Sequence, residues 1–219
     1  MNMTLSIDHA DFGNRNKSFS KKGSLLYRFA RILMRIYCAL FFNLKVMGLE
    51  NIPNDQNFIL LANHVNAWDP ILIAVSVRTW ALHFLAKESL FKIPIVSRIL
   101  PRVHILKVAR GGGSNLATMR SALEILRGGG ALGIFPEGRR YQTGKLERLE
   151  SGIAVLAAST DVPLLPAHIS GVYNKRGRLL LQFGKPLTLS DLRSMPKDAN
   201  TFGLILDRLA CALNDLVPE

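Results

Sequence analysis

From Lys45 onward the chain alternates short apolar runs with stretches of helical period, and this alternation limits the fold more than any other feature. Seven runs have the length and composition of strands: LKVMGLE (44–50), FILLAN (58–63), ALHFLA (81–86), VHILKV (103–108), ALGIFP (131–136), VPLLPAHI (162–169) and RLLLQFG (178–184). Helical patterns lie between them, clearest in SNLATMRSALEILR (114–127) and ESGIAVLAAST (150–160). A last helix is read in TFGLILDRLACALNDLV (201–217). Ser114 suits an N-cap, and the glycines after Arg127 suit a C-terminal stop. The pattern predicts one α/β domain over 45–219, with a central mixed sheet flanked by helices. A chain of 219 residues can fill one substantial core, and no second domain or long linker is visible.

Residues 1–23 are polar and are read as a flexible basic tail. The first long apolar stretch begins only at Leu25, which does not suit a typical secretory signal. That stretch, SLLYRFARILMRIYCALFFNL (24–44), is long enough to span a bilayer as a helix. Arg28, Arg31 and Arg35 interrupt it at i, i+3 and i+7 and line one helical face. Each would cost about 2.5 kcal/mol or more at bilayer depth. The expectation is an amphipathic helix lying in the membrane interface, with arginines toward headgroups and the apolar side toward acyl chains. Packing on the protein's own core, arginines outward, is the alternative.

The chain carries 28 Lys and Arg against 16 Asp and Glu, a formal net charge of +12. Such a balance points to an anionic partner: nucleic acid, a headgroup surface or a phosphorylated substrate. No recognised nucleic-acid motif is present, so no nucleic-acid partner is expected. Cys38 and Cys211 are far apart and match no metal spacing, in keeping with a reducing compartment and with no metal site.

The stretch NHVNAWDP (63–70) follows an apolar strand and places Asp69 five residues after His64. In a helix or a strand that spacing sets the two side chains on different faces. They meet only if the chain folds back through a turn or the first turn of a helix, which Asn66 and Pro70 suit. An imidazole gripped by a carboxylate keeps one tautomer and becomes a better base. No serine or cysteine has the G-x-S-x-G setting of a protein nucleophile, so the attacking hydroxyl would belong to the substrate.

FPEGRR (135–140) ends another strand. Gly138 permits close backbone approach, and Arg139 and Arg140 offer forked donors to a phosphate. Lys87 ends ALHFLA, and Arg110 follows VHILKV. In a parallel sheet these four basic residues share an edge with His64. The glycine runs ARGGGS and RGGGAL lack the P-loop lysine and hydroxyl and are read as turns at helix ends. His83 and His168 lie inside apolar strands and are read as core or edge histidines.

Taken in order, NHVNAWDP, KESLFKIP running on to Arg110, FPEGRR and VPLLPAHISG resemble the four blocks of the glycerophospholipid acyltransferases, the family of 1-acylglycerol-3-phosphate acyltransferases. LQFGKPL is also similar, and the resemblance covers residues 40–187. It implies His64 as general base and Asp69 as its orienting partner. It places Glu137, Gly138 and Arg140 in the block associated with the acceptor phosphate. Lys87 and Arg110 fall on basic positions of the second block, and Pro166 lies in the fourth, associated with the acyl donor or with packing. The implied donor is a fatty acyl thioester on coenzyme A or acyl carrier protein, with no other cofactor. The implied acceptor is lysophosphatidic acid, and the implied setting is the cytoplasmic face of a membrane, peripheral or monotopic, among membrane lipids.

Several positions depart from the family pattern. Arg139 stands where Thr is usual, Tyr141 where Ser is frequent, and Ala109 where an Asp often precedes the arginine. His104 stands where Gly is common, and Glu150 and Ser151 where the family is often basic. These leave two alternatives beside the main reading: a different acceptor, such as glycerol 3-phosphate or another lysolipid, or a non-catalytic module that binds anionic membranes.

Overall fold

The computed structural model of the chain describes residues 19–108, 114–138 and 149–218, apart from the side chains of Lys87, Val108, Ser114 and Asn115. In chain order the elements are helix α1 (Leu25–Phe41), strands β1 (Asn43–Met47) and β2 (Ile59–Ala62), helix α2 (Asp69–Ser76) and strand β3 (Leu82–Lys87). Then come α3 (Pro94–Ile99), β4 (Ile105–Val108), α4 (Ser114–Arg127), β5 (Ala131–Ile134) and α5 (Ser151–Ala158). Strands β6 (Leu164–Gly171) and β7 (Arg178–Phe183) and helices α6 (Ser190–Arg193) and α7 (Ala199–Asn214) complete the chain. The seven apolar runs all form strands, and the helical period at 114–127 forms α4 over those same residues. Helix α2 was legible only as a fold-back. Its DPILIAVS segment buries Leu72, Ile73 and Val75 together, so no one-sided period marks it.

The strands form one sheet in the order β1-β7-β6-β2-β5-β3-β4. Among the described residues β6 and β7 make the one antiparallel pair, and every other neighbouring pair is parallel. Strand β2 sits in the middle, with Ile59 level with Leu132 of β5 and Leu164 of β6. A central parallel strand is covered on both faces, which is why its ILLA run is wholly buried rather than alternating. Leu60 and Ala62 face one core with Leu72, Ile73, Trp80 and Phe84. Ile59 and Leu61 face the other, with Ile125 of α4, Ile153 of α5 and Ile205, Leu209 and Leu213 of α7. Alternate residues of one strand thus feed two cores. Because β2, β3, β4, β5 and β6 run in the same direction, their C-terminal ends share one edge.

Helix α1 starts at Ser24, whose hydroxyl accepts from the Tyr27 backbone N–H at 3.1 Å. Tyr27 and Cys38 are buried against the domain, and Met34 and Tyr37 pack beside them. At about 100° per residue, Ile32, Leu25, Ile36, Phe29, Leu40, Leu33 and Leu26 fall in one arc of about 120°. All seven are exposed, Leu25 to 80% and Leu40 to 67%. The arginines occupy the flank between this arc and the buried stripe. They do not all face outward: Arg31 Nη1 donates to the carbonyls of Val77 and Trp80, each at 3.2 Å. Those carbonyls lie at and beyond the C-terminus of α2, where a cation is favoured. Among the described residues no helix is long and apolar enough to cross a membrane.

The start of α1 is tied to the sheet by four packed rings, three of them stacked. His83 and His104 lie 4.5 Å apart, Tyr27 covers His104 at 4.7 Å, and Phe19 meets His83 edge-on at 5.0 Å. His104 has φ 65, the left-handed region that glycine adopts without strain and that a bulky side chain rarely occupies. His83 Nδ1 donates to the Ala131 carbonyl at 3.1 Å. Burial, with His104 nearby, lowers the His83 pKa from 6.5 to about 4, and burial lowers that of His104. The folded protein therefore refuses a proton that the unfolded chain accepts. Stability should be full above about pH 6.5 and fall as the pH drops toward 4, by on the order of 2–3 kcal/mol for His83. Denaturant midpoints measured across that window, beside a His83→Gln variant with a flatter profile, check this.

Candidate active site

Strand β2 ends at Ala62, and the next residue locks the edge. Asn63 is buried; its Nδ2 donates to the Ile169 carbonyl at 2.8 Å, and its Oδ1 accepts from the Ile169 N–H at 2.7 Å. This pair of hydrogen bonds between side chain and backbone fixes the exit of β2 against β6. The chain then turns around the carboxylate of Asp69. Oδ2 accepts from the backbone N–H groups of Val65 and Asn66 and from His64 Nδ1, each at 2.8 Å. Asn66 Oδ1 accepts from the Trp68 N–H at 3.1 Å, and the Asp69 N–H donates to the Asn66 carbonyl at 3.2 Å. Pro70 follows in the first turn of α2, where its missing N–H is not needed. This is the fold-back that the five-residue spacing requires.

Asp69 is fully buried, and the His64 side chain keeps 16% exposure. The imidazole stacks on Phe135 at 4.2 Å. A carboxylate accepts at Nδ1, so the neutral ring carries its proton there and its basic lone pair on Nε2. Tyr173, two residues past β6, donates from its hydroxyl to Asp69 Oδ1 at 2.5 Å. Burial and the adjacent Asp69 charge push the Tyr173 pKa upward, so it remains a donor. Tyr173 was missed from the sequence. Its signal was its place just beyond a strand that ends on the same edge as β2.

Beyond β5, Glu137 is buried and its Oε2 accepts from the His64 N–H at 3.3 Å. The carboxylate thus steadies the His64 turn. Gly138 has φ 67, and a Cβ there would come within 3.1 Å of the Glu150 side chain. Glu150 opens α5, and its N–H donates to the Pro136 carbonyl at 2.8 Å. Pro166 is buried inside β6, level with Leu61. Lys87 is the last residue of β3 and so reaches the same edge. Arg110, Arg139 and Arg140 lie outside the described residues.

The edge therefore presents a histidine held by a buried carboxylate, an arrangement chemically able to take a proton from a hydroxyl. A family model described as "Acyltransferase" matches residues 43–170, more than half of the chain. The chain belongs to the acyltransferase family. This acyltransferase is 27% identical over 202 residues to the 1-acyl-sn-glycerol-3-phosphate acyltransferase of Bacillus subtilis, covering 89% of this chain and 96% of that protein. It is 34% identical over 132 residues to the enzyme of the same name from Borreliella burgdorferi, covering 59% of this chain and 52% of that one. Among solved structures it is similar to the 1-acyl-sn-glycerophosphate acyltransferase PlsC of Thermotoga maritima. The TM-score is 0.67 at 25% identity, over 88% of this chain and 82% of that chain.

Proposed function

We propose that this acyltransferase moves a fatty acyl group from a thioester to the free hydroxyl of 1-acylglycerol 3-phosphate, making phosphatidic acid. The observation that carries the reading is the His64–Asp69 pair, 2.8 Å apart, at the edge of the sheet where the strands end. His64 Nε2 takes the hydroxyl proton as the oxygen attacks the thioester carbonyl. The tetrahedral intermediate collapses, the C–S bond breaks, and the proton passes from His64 to the departing thiolate. Asp69 holds the ring and stabilises the imidazolium formed in between.

Lys87, Arg110, Arg139 and Arg140 end or follow β3, β4 and β5, which all finish at this edge; they are proposed to bind the acceptor phosphate, with Gly138 allowing the close approach. Holding the phosphate fixes the hydroxyl beside His64, which supplies the proximity term. Glu137 supports the turn that carries His64. The acyl-CoA or acyl carrier protein donor is a co-substrate, and the reaction as written calls for no other cofactor. The exposed apolar arc of α1 is proposed to lie in the cytoplasmic leaflet, giving a peripheral or monotopic enzyme. Tyr37, near the end of α1, stacks on Trp68 at 5.2 Å, and Phe42, just past the helix, meets Trp68 edge-on at 5.5 Å, which seats that end of the helix beside the site.

The test is product analysis by mass spectrometry, with acyl-CoA and acyl carrier protein donors in parallel and two acceptors. Phosphatidic acid from 1-acylglycerol 3-phosphate is expected. Acylation of glycerol 3-phosphate alone would overturn the acceptor and leave acyl transfer standing. Tyr173→Phe should lower kcat/KM about tenfold while leaving KM for the acceptor nearly unchanged, because it removes one hydrogen bond to the charged carboxylate and keeps the ring. Steady-state kinetics of the purified variant decide it.

A further inference from the structure

At the end of α2 away from Asp69, a cleft of about 370 Å³ is lined by Lys21, Lys22, Arg28, Arg31, Arg78 and Thr79. Five of these six residues are cations, and no carboxylate is among them. Like charges at such density repel one another, and the fold holds two of them in place. Arg31 is fixed by the Val77 and Trp80 carbonyls and lies over the Tyr27 ring at 5.6 Å. Lys21 donates to the Asn54 carbonyl and sits 4.8 Å over the Trp80 ring. The Lys21 carbonyl in turn accepts from the Ala81 N–H at 2.7 Å, anchoring the segment that carries Lys21 and Lys22.

The cleft is continuous with the apolar arc of α1. Arg28 lies on the helix flank beside Leu25 and Ile32, so an arc immersed in acyl chains brings Arg28 and Arg31 to the depth of lipid phosphates. Helix α1 runs antiparallel to α2: its start meets this cleft, and its end meets Trp68 at the candidate active site. Helix α2, eight residues long, lies between the cleft and Asp69 and sets them about 12 Å apart along its axis.

We propose that this cleft binds the phosphate headgroup of an anionic membrane lipid, separately from the substrate site, and anchors the end of α1 remote from the active site. The proposal goes beyond the reaction and shares with it only the placement of α1 in the interface. Its test is flotation of the full chain with vesicles of phosphatidylcholine, with and without about 20 mol% phosphatidylglycerol. The variants are Lys22→Gln/Arg28→Gln/Arg78→Gln and a charge-matched control on the opposite face of the sheet, Arg120→Gln/Arg127→Gln/Lys197→Gln. The wild type and the control should bind the anionic vesicles roughly a hundredfold more tightly than the cleft variant, while all three bind neutral vesicles alike. Turnover of a detergent-dispersed substrate should be unchanged in the cleft variant. Equal losses in both variants would mean that net charge alone acts, and would overturn the site. So would a cleft variant that binds anionic vesicles as the wild type does. A wild type that binds neither vesicle would instead remove the interfacial placement of α1 while leaving acyl transfer untouched.

Discussion

Replacing His64 by alanine is expected to lower acyl transfer between about 10²- and 10⁴-fold, the range of a positioned general base. The loss should appear in kcat, with KM for both substrates little changed, because the imidazole acts on the proton and not on the phosphate or the acyl chain. Fold stability should change little. His64 is partly exposed and its side chain stacks on Phe135, and the Asp69 carboxylate keeps its backbone donors from Val65 and Asn66 in the variant. Steady-state kinetics beside a thermal melt separate the two effects. A variant that retains most of the wild-type kcat would remove His64 from the chemistry.

Asp69 is expected to behave differently, because its carboxylate supports both the loop and the imidazole. Asp69→Ala strips acceptors from the Val65 and Asn66 N–H groups, from His64 Nδ1 and from the Tyr173 hydroxyl in a buried place. Stability should fall by about 2–4 kcal/mol, a drop in melting temperature on the order of 5–10 °C. Activity should fall with it. Asp69→Asn is the sharper probe. Its amide oxygen can still accept from the two backbone N–H groups, and its NH₂ can donate to the Tyr173 oxygen, so the loop should survive. The charge that stabilises the imidazolium is lost, and kcat should still fall about 10²-fold or more. An Asn variant with near-normal kcat would reduce Asp69 to a structural support.

The parts of the molecule that the sequence made visible are those governed by short-range pattern. Each strand is an apolar run bounded by breakers, and the run for β2 stays apolar throughout because both faces of this strand are covered. The spacing of His64 and Asp69 demanded a fold-back, since neither regular structure lets them touch. What the pattern hid depends on distant partners. Tyr173 reaches Asp69 only because β6 lies beside β2, a neighbour relation that no local signal encodes. Helix periodicity grouped Arg28, Arg31 and Arg35 correctly but gave no sign that Arg31 turns inward to the end of α2. His104 has left-handed backbone that no local pattern announced, and its ring stacks between His83 and Tyr27.

In the proposed reaction the acceptor's own hydroxyl attacks the thioester, with His64 as base and no acyl group passing through the protein. The most direct measurement is rapid-quench thiol release from acyl-CoA at enzyme concentrations comparable to substrate, with and without 1-acylglycerol 3-phosphate. No burst is expected without acceptor, no acyl adduct by intact mass, and release matched by phosphatidic acid once acceptor is present. A stoichiometric burst of thiol without acceptor, with the acyl mass retained on the protein, would contradict it.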